Sequence, residues 1–170
     1  MLEHDERLTG DEAVFLARDV EFDLSRVVVE VDFQSVIADR LTEVEACYEN
    51  GSYLATLILC GSTLEGLLYE VAKKHPADYN HAKAAPRHGD KVRPFSDWTL
   101  NDLLNCSREL GLLGEDVTKF GHAVREFRNY IHPQQQVREG FRPRRVTAQV
   151  ARQVLRAALE DLASRSTDSQ

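Results

Sequence analysis

The stretch that decides the fold is residues 52–76, SYLATLILCGSTLEGLLYEVAKKHP. Its apolar side chains recur every three or four residues, which places them on one face of an α-helix. Ser52 precedes the pattern, as helix N-cap residues commonly do, and Pro76 follows it, where a helix cannot easily continue. The stretch therefore predicts a long helix that buries its apolar face against other helices. That face consists of Leu54, Leu57, Ile58, Leu64, Leu68 and Val71.

The sequence on either side predicts the helices that cover this face. A helical period begins at Phe33 and stops at Asn50-Gly51, a common helix end. After the long helix, residues 76–96 contain three prolines and no apolar period, so we expect them to form one long loop. The later helices are predicted to begin at Asp97 or Thr99, near Glu115, and at Thr147.

The helix that begins near Glu115 carries apolar residues at alternating spacings of three and four, the pattern of a heptad seam. Pro133 is expected to end this helix. The whole pattern predicts an all-α protein, a four- to five-helix bundle with one long loop. We expect an acidic, partly helical lead-in at 1–32, the bundle at 33–165 and a disordered tail at 166–170. The predicted seam is Val117, Phe120, Val124, Phe127 and Ile131.

Composition and charge restrict the classes of function. The 170 residues are 42% hydrophobic and 29% charged, as in one globular domain. The apolar runs look too short for a membrane span and the acidic N-terminus does not resemble a signal peptide, so we expect a cytoplasmic protein without membrane contact. Residues 1–50 hold 14 acidic and 4 basic side chains, and residues 51–170 hold 14 acidic and 17 basic ones. This balance argues against sequence-independent DNA binding but allows a local anion site.

Cysteine and histidine spacing does not indicate a metal centre or a cofactor. The three cysteines are far apart, and no CxxC pair is present. His75, His81 and His88 fall in the predicted loop without a cysteine or a carboxylate cluster beside them. We therefore predict no metal site and no cofactor, and we interpret the cysteines as buried apolar residues.

The segment VREFRNYIHP, residues 124–133, is the strongest candidate for chemistry. On a helix, the directions of Arg125 and His132 around the helix axis differ by about 20°, and those of Arg128 and His132 differ by about 40°. With Gly121 they form a polar stripe beside the apolar seam, as at the edge of a close helix–helix contact. Two guanidinium groups and an imidazole at one edge favour the binding of an anion, and phosphate is the ligand we expect. An imidazole that titrates near neutral pH also suits acid–base work on a phosphodiester.

This segment resembles the signature of the HEPN superfamily, a group of small helical bundles. RNYIHP is similar to the RN-x-x-HP ending of one HEPN-like group, and GSTLEGLL, residues 61–68, is similar to its GS-x-x-EG-x-L helix. Together with the segment from WTLNDLL to GLLG, the resemblance spans roughly residues 35–165. Many members are metal-independent ribonucleases of toxin–antitoxin and phage-defence systems, and the family commonly dimerises with the motif helices adjacent.

The resemblance implies a catalytic role for His132 and for one of two arginines. Arg125 has the expected six intervening residues but is followed by Glu126, whereas Arg128 has the expected polar neighbour, Asn129, but only three intervening residues. Which of them is the motif arginine stays open. Glu65, at the edge of the long helix, is a candidate to pair with either guanidinium, since an edge carboxylate needs a partner. An exposed glutamate without such a role is the alternative.

The chain after the motif is basic and rich in glutamine. Arg138, Arg142, Arg144 and Arg145 surround Phe141, and basic side chains around an aromatic ring could follow an RNA backbone and stack a base. The alternative is a solvated basic connection between helices.

These observations lead to two hypotheses of different classes. The first is a homodimeric, metal-independent endoribonuclease of a defence or toxin–antitoxin type, with RNA as its substrate. The second is a catalytically inactive helical dimer that binds RNA or a partner protein, in a scaffold or antitoxin role. A cognate antitoxin or a defence-system protein is the partner that the resemblance implies.

Overall fold

The computed structural model describes residues 19–27 and 29–165, and these contain seven α-helices and one small hairpin. The predictions for residues 1–18 and for the tail at 166–170 lie outside the described residues. The helices are α1 (Val31–Glu49), α2 (Tyr53–Lys74), α3 (Pro76–His81), α4 (Leu100–Glu109), α5 (Glu115–Arg128), α6 (Pro133–Glu139) and α7 (Arg145–Arg165). The hairpin pairs β1 (Arg87–His88) with β2 (Lys91–Val92) in antiparallel register.

Helix α2 is the centre of the bundle and confirms the prediction made from residues 52–76. It packs against α1, α4, α5 and α7, so four long helices surround it. Leu57, Leu64 and Leu68 are completely buried, as their spacing predicts. The described residues therefore form the expected all-α bundle, with five long helices and two short ones.

Helix α2 also corrects the expectation that no apolar run reaches the length of a membrane span. Among the described residues it is the one helix that is long and apolar enough to cross a bilayer. However, 56% of its most apolar window is buried inside the bundle. This burial is typical of the core helix of a soluble protein.

Segment 76–96 is not the single long loop that its prolines suggested. It contains α3, the hairpin and a 3₁₀ turn at Phe95–Asp97. Pro76 occupies the first turn of α3, where proline is tolerated because the missing N–H has no helical partner. Tyr79 anchors the segment, since its buried hydroxyl lies 2.7 Å from the Ser107 hydroxyl on α4.

Helix α5 begins at Glu115 and α1 ends at Glu49, as predicted, whereas only one of the three predicted N-cap residues caps its helix. The side chain of Thr99 accepts a hydrogen bond from the backbone N–H of Asp102, and the Asp102 carboxylate accepts one from the backbone N–H of Thr99, which confirms a capping box at the start of α4. Ser52 precedes α2 without a capping hydrogen bond from its side chain. Helix α7 begins at Arg145, so Thr147 lies in its first turn and is not its cap.

The heptad seam predicted on α5 is only partly correct. Val117 and Val124 are buried, but the side chains of Phe120 and Ile131 are 55% and 59% exposed. The face towards α4 centres instead on Gly121, where an added Cβ would lie 2.8 Å from Leu104 Cδ2. The Leu104 side chain of α4 therefore packs directly against the backbone of α5 at this glycine, while Phe120, the preceding residue, lies at the surface. Gly121 thus lies at the close helix–helix contact that the polar stripe indicated.

The chain after α5 also differs from the prediction. A 3₁₀ turn at Asn129–Ile131 follows α5 directly, and His132 is the N-cap residue of α6 with φ −95° and ψ 112°. Pro133 therefore begins a second helix, and the glutamines that follow it are helical. The extended backbone of His132 agrees with the restriction that proline places on the preceding residue.

The predicted boundary at residue 33 and the predicted state of the cysteines are close to what the structure shows. Helix α1 begins at Val31, and Leu24 and Val27 of the lead-in are buried in the core. Cys60 and Cys106 are buried and Cys47 is half-buried, all with free thiols. Burial raises the pKa of the Cys106 thiol to about 12, as expected for an inert core residue.

Candidate functional site

An open pocket of about 370 Å³ brings together three of the residues predicted from the motif. It lies where the N-terminus of α4 meets the end of α5 and the 3₁₀ turn that follows. Of the predicted site residues, Arg125, Asn129 and His132 line it. The other lining residues are Thr99, Leu100, Asn101, Glu126 and Ile131.

Arg125 is held in the pocket by two neighbours. Its Nη1 donates a hydrogen bond of 2.8 Å to Asn101 Oδ1 on α4. Its Nη2 is paired with the carboxylate of Glu126, the next residue on α5. These contacts orient the half-buried guanidinium towards the pocket and neutralise part of its charge. An anion that enters must therefore compete with Glu126.

His132 reaches the same pocket from the opposite end of the 3₁₀ turn. Its side chain is exposed, and its ring makes no hydrogen bond or ion pair within the described part of the chain. Its backbone carbonyl accepts a hydrogen bond from the Gln135 N–H at 3.0 Å, which fixes the backbone at the start of α6. The backbone therefore positions the imidazole at the pocket, where its ring nitrogens are open to a ligand.

Asn129 and Glu126 complete the polar wall. Asn129 Nδ2 lies 3.5 Å from Glu126 Oε2, so both oxygens of this carboxylate are in contact with polar groups. The carboxylate is more than half exposed, and exposed ion pairs contribute only about 0–1 kcal/mol. Glu126 can thus leave Arg125 for solvent at little cost.

Two predicted site residues are not placed in the pocket by the described contacts. Glu65 is half-buried on α2 and does not line the pocket. The guanidinium of Arg125 contacts Asn101 and Glu126 instead, so the proposed pair between Glu65 and Arg125 is not found there. Arg128 is the last residue of α5, and its side chain lies outside the described part of the structure. Its pairing with Glu65 stays a prediction.

The four arginines predicted to bind RNA do not line the pocket, and Arg138 and Arg145 contact residues elsewhere. Arg138 is exposed and pairs with Gln135 and Glu139 on α6. Arg145 donates a hydrogen bond of 3.3 Å to the Tyr48 hydroxyl at the end of α1. Arg142 and Arg144 are exposed. A shared RNA surface of these four residues stays a prediction.

Phe141 is not the free stacking platform that the sequence suggested. Its ring stacks on Tyr130 at 4.3 Å between centroids and on Phe127 at 5.3 Å. Tyr130 is fixed in turn by a hydrogen bond from its hydroxyl to Glu139, which raises the pKa of Tyr130 to about 12. These aromatic rings hold α6 against the end of α5, and so they position His132.

The sequence reasoning missed the contribution of α4. Asn101 lines the pocket and contacts Arg125, and Asn105, one turn later, lies 3.2 Å from His122 Nε2 through its Oδ1. Partial burial and the nearby Arg125 lower the pKa of His122 below its usual 6.5. The spacing of four between the two asparagines was the available signal, because it places both amides on one face of α4.

The titratable groups of the described residues do not form a metal-ligand cluster. No group of three or more His, Cys, Asp or Glu side chains within 19–27 and 29–165 is arranged to hold a metal ion. The polar side chains that line the pocket are a guanidinium, an imidazole, a carboxylate, two amides and the hydroxyl of Thr99.

Comparison with known proteins does not place the chain in a family. No protein-family model, no curated protein and no solved structure matches it. The fold and the pocket define an all-α helical bundle with a polar site where α4, α5 and the following turn meet. The resemblance to the HEPN superfamily rests on its motifs and stays a prediction.

Proposed function

We propose that this protein is a metal-independent endoribonuclease that cleaves RNA in the pocket between α4 and α5. The observation that carries the proposal is the presence of Arg125 and His132 in one open pocket. A guanidinium binds a phosphate through two hydrogen bonds and keeps its charge throughout the reaction. An imidazole transfers protons near neutral pH. These are the two contributions that transesterification of RNA requires.

The reaction balances with these groups. The 2′-oxygen of the ribose forms a bond to phosphorus, and the bond between phosphorus and the 5′-oxygen breaks. Neutral His132 takes the proton of the 2′-hydroxyl, and the departing 5′-oxygen takes a proton from solvent. Arg125 stabilises the negative charge that builds on the phosphoryl oxygens. The products are a 2′,3′-cyclic phosphate and a free 5′-hydroxyl.

We also propose that the active form is a homodimer. Phe120 on α5 and Ile131 in the turn that follows it are large apolar residues that remain more than half exposed. Ile131 also lines the pocket, so a second copy packed there would lie beside the site. The variant Phe120→Glu is expected to shift the protein towards monomer in sedimentation, whereas Val137→Glu, at another exposed apolar position, is not.

The decisive experiment compares the wild type with His132→Ala on bulk tRNA and on a labelled single-stranded RNA in EDTA. His88→Ala is the matched control, because His88 is an exposed histidine on β1. We expect the wild type and the control to produce 2′,3′-cyclic phosphate ends and His132→Ala to produce none. The variant Arg125→Ala is expected to lose about 100-fold in rate, the usual effect of removing one charge-stabilising donor.

Two results would contradict the proposal. Activity that disappears in EDTA and returns with a divalent ion would refute the metal-independent mechanism. Equal cleavage by the wild type and His132→Ala would place the activity elsewhere or in a contaminant.

The second candidate is a catalytically inactive dimer that binds RNA or a partner protein, as a scaffold or antitoxin. It is favoured by the contact between Arg125 and Glu126, which occupies the guanidinium before any substrate arrives. Absence of cleavage together with a gel shift of RNA would support this candidate. In either case we propose that the protein acts in the cytoplasm, where a defence-system partner and its RNA targets would be met.

A further inference from the structure

Asn101 contacts Arg125 across the two helices that meet at the pocket. It is the second residue of α4, and the capping box of Thr99 and Asp102 fixes the start of that helix. Leu100, which precedes it, is only 1% exposed, so the backbone here is anchored in the core. The Asn101 side chain is half-buried and lines the pocket. Its amide therefore reaches into the site from a fixed position.

The contact with Arg125 determines which way the amide points. A guanidinium only donates hydrogen bonds, so the Asn101 atom that lies 2.8 Å from Arg125 Nη1 is the oxygen, Oδ1. The amide nitrogen, Nδ2, is then left without an acceptor among the described residues. Oδ1 and Nδ2 are bonded to the same carbon, so this open donor lies next to the guanidinium. One phosphate can contact both groups.

Glu126 holds the same guanidinium in a different way. Its carboxylate neutralises part of the charge of Arg125, and its side chain is 57% exposed. A phosphate that enters the pocket carries a like charge, which favours release of this carboxylate to solvent. Asn101 carries no charge, so it keeps its contact with Arg125 while a phosphate is bound. The neutral amide thus suits a site that must accept an anion.

We propose that Asn101 contacts the scissile phosphate directly, with Nδ2 donating to one non-bridging oxygen while Arg125 donates to the other. Its Oδ1 keeps the hydrogen bond from Arg125 at the same time. A donor aimed at an oxygen that gains negative charge during the reaction lowers the barrier. Asn101 is therefore a second phosphate-binding residue, on a different helix from the motif at residues 124–133. This inference rests on the proposed function.

The test replaces single oxygens of the phosphate by sulfur, which accepts hydrogen bonds poorly. The probe is an RNA octanucleotide with 2′-O-methyl groups on all riboses but one, so that one bond alone can be cleaved. It is made with an Rp or an Sp phosphorothioate at that bond. The variant is Asn101→Ala in the full chain. The matched control is Asn105→Ala, because Asn105 contacts His122 one turn later on α4 and does not line the pocket. Circular dichroism establishes that both variants fold.

The contact predicts a sulfur effect that depends on Asn101 for one diastereomer alone. Asn101→Ala should cleave the unmodified RNA about tenfold more slowly than the wild type, the usual effect of losing one hydrogen bond to a charged group. For one diastereomer, sulfur should slow the wild type but not the variant any further, because the donor that sulfur affects is already absent. For the other diastereomer, the sulfur effect should be the same in both proteins. Asn105→Ala should keep both effects.

Two results would overturn this inference while the ribonuclease proposal stands. If Asn101→Ala cleaves the unmodified RNA as fast as Asn105→Ala does, the amide plays no part in the reaction. If Asn101→Ala is slow but keeps both sulfur effects, Asn101 only positions Arg125 and does not contact the phosphate.

Absence of cleavage by the wild type would contradict the proposed function, and binding then decides about Asn101. The same comparison is made on the dissociation constants of fully 2′-O-methylated octanucleotides that carry the same phosphorothioates, measured by fluorescence anisotropy. A sulfur effect on affinity that Asn101→Ala abolishes for one diastereomer supports the phosphate contact. Sulfur effects that are identical in the wild type and the variant refute it.

Discussion

The substitution Glu45→Gln tests how α7 is attached to α1. Arg152 on α7 is only 3% exposed, and its Nε donates a hydrogen bond of 2.9 Å to Glu45 Oε1, with a second bond from its Nη2 to the other carboxylate oxygen. Its guanidinium carbon lies 3.9 Å from the centre of the Tyr48 ring, and its Nη1 contacts Gln149. A buried cation is therefore balanced by one carboxylate and one aromatic face.

The expected decrease in the free energy of unfolding follows from this geometry. Glutamine keeps the volume of Glu45 and one acceptor but removes the charge, so Arg152 stays buried without a counter-ion. Breaking a buried ion pair in this way costs about 3–5 kcal/mol. Glu45 is about one-third exposed and Tyr48 still faces the guanidinium, so we expect the lower end, about 3 kcal/mol. For a chain of this length the melting temperature should fall by about 6–12 °C.

Glu160→Gln is the matched control, because it removes the same charge from an exposed pair with Arg156 on the same helix. That pair should contribute no more than about 0.5 kcal/mol. Urea denaturation followed by circular dichroism measures both free energies of unfolding. The reasoning is refuted if Glu45→Gln costs no more than Glu160→Gln. Adding Arg152→Met to Glu45→Gln should recover part of the loss, because the uncompensated charge is then absent.

Three further predictions concern the site. Gly121→Val should cost about 1–3 kcal/mol of stability and weaken RNA binding, because even a Cβ would lie 2.8 Å from the Leu104 side chain, which must then move. Ala123→Val on the exposed face is the control, and equal stability of the two variants would contradict the close contact. Glu126→Gln should increase the affinity for RNA about fivefold in an anisotropy titration, because it removes the negative charge paired with Arg125, an interaction of about 1 kcal/mol. Unchanged affinity would count against a phosphate bound at Arg125. The pKa of His122 is below 6.5 in the folded protein, so the unfolded chain binds the proton first as the pH falls, and the free energy of unfolding decreases below pH 6.5. His122→Gln should reduce this decrease in urea titrations at successive pH values. An identical pH dependence in the variant would show that the pKa of His122 is not lowered.

Local sequence signals predicted most of the helices because they depend on neighbours along the chain. The apolar period of α2 and the capping box of Thr99 and Asp102 both act over three or four residues. The proline-rich segment 76–96 failed as a prediction for the same reason. Its helix α3 is anchored by the contact of Tyr79 with Ser107, which is 28 positions away in the chain.

In the candidate site, too, the sequence predicted the residues of a local motif but not the contacts between distant parts of the chain. The motif identified Arg125 and His132, and the pocket contains both. The sequence could not show that Asn101 orients the guanidinium, because that contact joins residues 24 positions apart. The sequence also could not show that Phe141 stacks on Tyr130. Basic residues around an aromatic residue form the same sequence pattern whether the ring is free or packed.

By itself the sequence determined that the chain forms an all-α bundle, and it predicted a polar stripe that includes Arg125 and His132. Only the tertiary structure decided which residues of that stripe meet, because the crossing of two helices depends on the volumes of the side chains between them. Because Gly121 has no side chain, Leu104 of α4 packs directly against α5 at this position, while Phe120 lies at the surface. That close approach brings the asparagines of α4 to Arg125 and His122, and with them the polar surface at the α4–α5 junction.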